Sequence, residues 1–495
     1  MVSEIIIDVG IDETRMALLE DKELVELYIE RDEHARLVGN IYRGKVCSVL
    51  PGMQAAFIDI GYEKNAFLYV GDIISQNGLY PDEEECQEEV KDININDIVS
   101  QGQEITVQVI KEPIDTKGPR ISTHITLPGR YLVLLPNANY IGISRRIENH
   151  EERERLKAIA EKVKPESMGI IVRTAAGGIE EAEFIRDIDF LTRLWSKIKQ
   201  KEGTGSVPRA IHKDLNLIYR VVRDLFTWNI DRLVINDRQA YTKVLELVEV
   251  ISPALVSKVE YFSKTCEIFE YYQIESKIDK ALSRKVWLKC GGYLVIDQTE
   301  ALTVIDVNTG KYVGNNDLEE TVLKTNLEAA KEIAKQLRLR DIGGIIIIDY
   351  IDMDSAENQQ MVLETLKLAL KKDRTRTMVV GITSLGLVEM TRKKVRQKLS
   401  SVLNIDCPYC AGAGRVLSPE TVARNVEREI GKLSSQKLAN AVLVEVHPDV
   451  ARILEGTEGQ NLERIESRFN RRIVVKESSQ MRHEEIKVRR IHEAK

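Results

Sequence analysis

Leu302-Thr303-Val304-Ile305-Asp306-Val307-Asn308 and Ile345-Ile346-Ile347-Ile348-Asp349-Tyr350 are the two stretches on which the fold of this chain turns. Each is a run rich in β-branched residues that meets a carboxylate near its end, and near-continuous apolar runs of this length read as strands of a buried sheet. The segment between them supplies a helix. Leu318, Val322, Leu327, Ala330, Ala334 and Leu337 recur at spacings of three to five, and Gly343 closes the pattern. Beyond the second run, 355–371 reads as a helix, 377–382 as a strand and 389–403 as a further helix, so the region is expected to be α/β with a buried sheet.

Asp306 and Asp349 would then stand at strand ends, where open α/β sheets hold their sites. Asp306 and Asn308 are two residues apart and leave the same face of a strand. Two acids converging there suit Mg²⁺, a hard cation that takes one or two protein carboxylates and keeps its other positions for water and phosphate oxygens. Such an ion polarises a phosphodiester and helps to generate hydroxide. The same residues could equally be turn caps facing solvent. Asp352 and Asp354, on a loop or helix start, read as caps.

Working outward, 286–296 and 302–307 form a hairpin, 210–280 is helix-rich, and Gly203-Thr204-Gly205-Ser206-Val207-Pro208 reads as a linker at a domain boundary. Residues 129–200 mix strands with helices, one of them over 151–163. Five short strands at 39–50, 55–59, 66–70, 104–110 and 120–125 suggest a small β-barrel of the OB type. Phe57 and Phe67 lie in it beside Arg43, Lys45, Lys64 and Lys111. Such a mixture stacks bases and tracks phosphates, although both rings could as well be core. Three strands, at 4–10, 15–20 and 24–29, open the chain, and a small α/β unit with helices at 419–433 and 458–469 and strands at 441–446 and 472–475 ends it.

Three further motifs bear on chemistry. Gly169-Ile170-Ile171-Val172-Arg173-Thr174-Ala175-Ala176-Gly177-Gly178 runs from a strand into a glycine-bearing loop, where the Arg173 fork, the Thr174 hydroxyl and loop amides could hold a terminal phosphate, or where glycine simply makes a turn. Arg145-Arg146 and Arg392-Lys393-Lys394-Val395-Arg396 offer phosphate contacts or solvated helix charge. Cys407-Pro408-Tyr409-Cys410 can grip one edge of a tetrahedral Zn²⁺, but no second pair exists, so the other two ligands come from a second copy, or the pair is a redox motif without thioredoxin-style flanks, or it is inert.

Composition narrows the class. The chain has 495 residues, 43% hydrophobic and 30% charged, which fits about three folded domains and excludes wholesale disorder. The net charge of −7 excludes a surface that coats polyanions everywhere, so any such site is local. Residues 82–92 are strongly acidic, whereas 371–398 carry nine Lys or Arg against Asp373 and Glu389. Neither a targeting segment nor a membrane span is legible, so a cytoplasmic protein is expected. Cys47, Cys86, Cys266 and Cys290 are isolated and read as buried or inert thiols.

Seven motifs in order carry a resemblance to the ribonuclease E/G family. They are Gly52-Met53-Gln54-Ala55-Ala56-Phe57-Ile58-Asp59-Ile60-Gly61, Ile143-Ser144-Arg145-Arg146-Ile147, Ile171-Val172-Arg173-Thr174-Ala175, Thr303-Val304-Ile305-Asp306-Val307-Asn308, Ile348-Asp349-Tyr350-Ile351-Asp352-Met353, the stretch from Gly381 to Arg392, and Cys407-Pro408-Tyr409-Cys410. The length matches the family's members without a long disordered tail. The resemblance implies a multidomain α/β protein: an OB-fold S1-type domain at 37–126 inserted in an RNase H-like subdomain (1–36 and 210–280), a 5′ sensor at 127–209, a DNase I-like catalytic subdomain at 281–403, a zinc link at 404–415 and a small C-terminal α/β domain at 416–495.

The activity it implies is Mg²⁺-dependent endonucleolytic cleavage of single-stranded, A/U-rich RNA, leaving 5′-phosphate and 3′-hydroxyl ends and preferring 5′-monophosphorylated substrates, in rRNA processing and mRNA decay. By the same resemblance Asp306 and Asp349 bind Mg²⁺ and Asn308 positions the scissile phosphate or water. Phe57, Phe67 and Lys111 grip RNA with Arg145 and Arg146, Arg173 and Thr174 sense the 5′ end, and Cys407 and Cys410 share Zn²⁺ with a second copy of the chain. Asp8 and Asp12 are then structural. The alternative is a noncatalytic RNA-binding scaffold.

Overall fold

The computed structural model describes residues 2–31, 36–74, 94–113, 117–214, 216–310, 318–434 and 441–491. The acidic run at 82–92 and Cys86 lie outside these residues. Two compact units divide the chain, Met1–Val402 and Leu403–Lys495.

In the first unit, the five strands Ile41–Leu50, Ala55–Asp59, Ala66–Tyr69, Arg120–Ser122 and Glu104–Lys111 pair in that order, and pairing of the last with the first closes them into a barrel. Val46, Ile58, Leu68, Val107, Val109 and Ile121 fill its interior. Residues 203–208 turn the chain back to this barrel, because Arg209–His212 immediately pairs with the outer edge of Ile41–Leu50. The same turn follows the long helix Glu181–Glu202, which packs with His150–Val163 on a four-stranded sheet made of Ile141–Ile143, Gly169–Val172, Leu132–Leu135 and Leu127–Pro128.

The N-terminal strands Ser3–Val9, Glu13–Glu20 and Glu23–Arg31 form an antiparallel meander, and far later residues complete their sheet. Arg232–Ile235 lies parallel to Ser3–Val9, and Val259–Tyr261 lies parallel to Arg232–Ile235. Ser3–Val9 is buried along nearly its whole length, as its Ile5-Ile6-Ile7 run requires. Asp8 is spent on structure: Arg15 bonds it at 2.5 Å and Asn236 at 2.7 Å.

The sheet that holds Asp306 has six strands in the order Lys285–Trp287, Tyr293–Gln298, Leu302–Asn308, Gly344–Asp349, Val388–Arg392 and Thr377–Ile382. Helices Leu318–Leu339 and Ala356–Leu370 both pack on one face, against Ile305, Val307, Ile346, Ile348, Val388 and Met390. The expectation of a buried sheet is therefore corrected: both helices take the same side, and the other face is open, with Ile345 52% and Val380 62% exposed. The helix expected over 389–403 is also corrected. Val388, Met390 and Arg392 are buried in strict alternation, so the stretch is a strand and only Leu399–Leu403 is helical.

Arg392, buried at the end of that strand, lies 2.9 Å from Asp341 and 2.7 Å from Asp373, and Arg396 lies 2.6 Å from Asp341 with its guanidinium stacked 3.8 Å over Tyr28. These two arginines are consumed by the fold, which overturns their reading as free phosphate contacts or solvated charge.

In the second unit, Ala441–Val446 is the central strand, parallel to Arg472–Glu477 and antiparallel to Lys487–Ile491. Pro419–Ser434, Pro448–Glu455 and Gln460–Phe469 supply its helices. Val426, Ile430, Val444, Val450 and Leu454 form the core. No described helix is long and apolar enough to cross a membrane.

Candidate functional site

The pairing of Leu302–Asn308 with Gly344–Asp349 is parallel and in a register that sets Asp306 directly beside Asp349. Both carboxylates are exposed on the open face. Asn308, on the same face, donates from Nδ2 to Asp306 Oδ2 at 2.8 Å. The strand must stop there: Gly310 has a φ of +62°, and a Cβ on it would fall 2.5 Å from the Gly291 carbonyl. After Asp349 the chain is pinned by the buried Asn326, which donates to the Ile351 carbonyl at 2.8 Å and accepts from its amide at 3.2 Å.

Partial desolvation pushes the Asp349 carboxyl above its ordinary value, and like charge on Asp306 and Asp352 pushes it further. Among the described residues no Lys or Arg forms an ion pair with any of these three acids. Uncompensated oxygen donors fit a hard divalent cation, and Asp306 and Asp349 are placed to hold it. Asp352 is not a cap, because Ser355 caps the helix Ala356–Leu370. Asp352, Asp354, Met353 and Gln359 line a pocket of about 270 Å³ beside the acids.

The open face also carries groups that the sequence reading missed. Register aligns Lys285 with Val295 and so with Asp306, and Trp287 with Tyr293 and so with Asn308. Lys285 Nζ lies 3.4 Å from the Tyr293 ring centroid and 4.2 Å from that of Trp287. Trp287 is 59% exposed.

On the barrel, a single registered row crosses four strands: Phe57 opposite Phe67, Phe67 opposite Arg120, and Arg120 opposite Lys111. The two rings meet edge to face at 5.9 Å, half-buried on the outside of the barrel rather than in its core. Arg120 was not anticipated; it bonds Asp72 at 2.8 and 3.2 Å. Arg43 is held at 3.1 Å by Thr106 and at 3.6 Å by Glu202.

A third cluster forms where the parallel strands Ile141–Ile143 and Gly169–Val172 end together. The Ser144 and Thr174 hydroxyls lie 2.8 Å apart, so the exposed Arg145 and Arg146 share a corner with Arg173 and Thr174. The Arg173 guanidinium donates to the Gly129 carbonyl, and to Asp224 at 2.7 Å. Burial pushes Asp224 up, but Arg223 and Arg173 outweigh it and hold its carboxyl below the usual range. Of the loop amides expected to meet a phosphate, Gly178 N–H is taken by Glu152 at 2.8 Å, and bonds from Arg155 and that amide bring Glu152 down to about 2.

Cys407 is exposed and Cys410 half-buried, and the Gly414 amide donates to Cys410 Sγ at 3.3 Å. Amides of Cys410 and Tyr409 hold the Cys407 thiol below its ordinary value, an environment fitted to a thiolate ligand. The two sulfurs supply half of a tetrahedral zinc shell. Of the isolated cysteines read as buried or inert, Cys266 is exposed, and Cys47 and Cys290 are half-buried.

Comparison with known proteins gives three family matches along the chain. An S1 RNA binding domain matches residues 37–124, the Ribonuclease E/G family matches 126–395, and an RNase E/G thioredoxin-like domain matches 406–491. In the last, the cysteine pair stands ahead of the helix Pro419–Ser434 rather than between a strand and a helix. Ribonuclease G of Escherichia coli strain K12 is 44% identical over 466 residues, 94% of this chain and 95% of that protein. Ribonuclease G of Haemophilus influenzae is 44% identical over 474 residues, 96% of each chain, and ribonuclease E of the same organism is 37% identical over 94% of this chain and 49% of its own.

Proposed function

Because the chain belongs to the ribonuclease E/G family and is an endoribonuclease, we propose that it hydrolyses single-stranded, A/U-rich RNA at Asp306 and Asp349 with Mg²⁺, preferring 5′-monophosphorylated substrates, in rRNA processing and mRNA decay. The observation that carries the reading is the register that seats two uncompensated carboxylates side by side on an exposed sheet face. Mg²⁺ bound there would polarise the scissile phosphodiester and favour ionised water, leaving 5′-phosphate and 3′-hydroxyl ends.

The chain's own residues do the rest. Asn308 fixes the Asp306 carboxylate through its amide and offers its polar head to the phosphate or to the attacking water. The Phe57–Phe67 pair stacks bases and Lys111 meets the backbone. Tyr293 and Trp287 stack a base next to the scissile phosphate, since they stand level with Asn308 on the same face. Arg173 and Thr174 hold the 5′ phosphate with Arg145 and Arg146 beside them, and Asp224 fixes the Arg173 fork. Cys407 and Cys410 join two copies of the chain through one Zn²⁺.

The test is cleavage of a fluorescent single-stranded oligoribonucleotide by Asp306→Asn and Asp349→Asn. Turnover is expected to fall more than about 100-fold, beyond the usual cost of losing an outer-shell metal partner, while RNA affinity changes little. Unchanged turnover in both variants would refute the assignment of the two acids, whereas no cleavage by the unaltered chain in Mg²⁺ would leave the scaffold reading in place.

A further inference from the structure

A second cluster of metal-ligating side chains lies in the Leu403–Lys495 unit, whereas the acids belong to the other unit, and it is distinct from the two thiols. His447 caps the helix Pro448–Glu455, Asp449 is in that helix's first turn, and His483 sits in the turn before Lys487–Ile491. One donor atom from each lies within 4.8 Å of the other two. We propose that His447, Asp449 and His483 form a mononuclear site for a divalent transition ion of the zinc class, which clamps the loop that carries the cysteines.

The spacing fits the ion. Zn–N and Zn–O bonds of about 2.0–2.1 Å in a tetrahedron put neighbouring donors about 3.3–3.4 Å apart. Asp449 Oδ2 is 3.3 Å from His483 Nε2 and 3.5 Å from His447 Nδ1, so one carboxylate oxygen already stands at that separation from both rings. The other oxygen is held by Arg452 at 2.9 Å, the kind of outer contact that orients a metal-binding carboxylate. The imidazoles lie with centroids 4.0 Å apart and planes tilted by 31°. Among the described residues His483 Nδ1 is buried and without a hydrogen-bond partner, and Asp449 stands on the Nε2 side of the ring. The contact that an ion would displace is a long one, from the Asp449 amide to His447 Nδ1 at 3.3 Å. Two imidazoles and a carboxylate suit zinc-class ions rather than Mg²⁺, and leave one position for water.

The clamp follows from Tyr409, the residue between Pro408 and Cys410. Its hydroxyl accepts the His483 amide at 2.9 Å, and its ring stands edge-on to the His483 imidazole at 6.2 Å. An ion that fixes His483 therefore fixes Tyr409 and the loop around both sulfurs.

The experiment uses the full chain with Cys407→Ser and Cys410→Ser, in millimolar Mg²⁺ so that the acidic site is occupied, titrated with Co²⁺ as the probe. One equivalent per chain is expected to survive desalting, with a visible d–d spectrum and no thiolate charge-transfer band. Adding His447→Gln and His483→Gln, or Asp449→Asn alone, should remove that equivalent while far-UV circular dichroism stays unchanged. With the cysteines restored, the histidine variants should lose zinc by elemental analysis and show faster alkylation of Cys407. No retained Co²⁺ in the chain with Cys407→Ser and Cys410→Ser, or equal retention with and without the histidines, overturns the site. Neither result bears on cleavage, which rests on other residues.

Discussion

At the scale of single residues, the sensor corner shows how a fixed charge partner shapes a binding group. In the proposed sensor, Arg173 would meet a 5′ phosphate from where Asp224 and the Gly129 carbonyl hold it. Arg173→Ala is expected to erase the preference for 5′-phosphate over 5′-hydroxyl substrates, and Asp224→Asn to weaken it without abolishing cleavage. Competition between the two substrates measures both, and a preference intact in Arg173→Ala would move the sensor elsewhere. On the barrel and the open sheet, Phe57→Ala and Trp287→Ala should each weaken RNA binding about 5- to 150-fold, the effect of about 1–3 kcal/mol per stacked base. Titration by fluorescence anisotropy checks this, and unchanged affinity for Trp287→Ala would remove that ring from the RNA path.

The acids were legible in the sequence because strand-ending carboxylates have a recognisable setting. Lys111 was not legible from alternation. With Val107 and Val109 buried, period two would aim it inward, but a bulge between Val109 and Lys111 turns it outward to face Arg120. Nor could spacing reveal that Tyr293 and Trp287 share a face with Asp306, since that depends on a pairing register.

At the scale of elements, Val388–Arg392 carries the clearest lesson. A short stretch that ends in an arginine and runs on into basic residues resembles a solvated helix. Its place as a strand is set by neighbours distant in sequence, Gly344–Asp349 on one side and Thr377–Ile382 on the other. Arg392 can be buried because Asp341 and Asp373 meet it from two other segments. Arg392→Leu should destabilise the first unit by about 3–5 kcal/mol, the usual cost of leaving one side of a buried ion pair without its partner. The midpoint of urea unfolding followed by tryptophan fluorescence reads this; a midpoint within error of the wild type would mean the pair is not buried in solution. The openness of the sheet was likewise invisible in its isoleucine run. Apolar residues on both faces suggest cover on both sides, yet the two helices share one side and leave the other to the acids and aromatic rings.

At the scale of the whole molecule, the two proposed metal chemistries are separated along the chain, oxygen donors in the first unit and sulfur and imidazole donors in the second. Chelation by EDTA should stop cleavage, and Mg²⁺ alone should restore it. Cys407→Ser should remove about half an equivalent of zinc per chain and reduce the mass seen by light scattering to that of one chain, 56.3 kDa. Retention of the larger mass would place the contact between copies elsewhere. The barrel strands and the small C-terminal α/β unit were readable because each carries its own period and turn residues, whereas the closure of the N-terminal sheet joins distant stretches and leaves no local mark.

That closure has a consequence for how the polypeptide is made. Ser3–Val9 leaves the ribosome long before its parallel neighbour, Arg232–Ile235. At about 5–20 residues per second, about 10 to 50 seconds pass before the partner emerges, while the barrel and the sensor sheet already have their own strands. Ser3–Val9 therefore waits for its seat beside Arg232–Ile235, and until then it offers a bare, isoleucine-lined margin to any chaperone waiting at the exit tunnel.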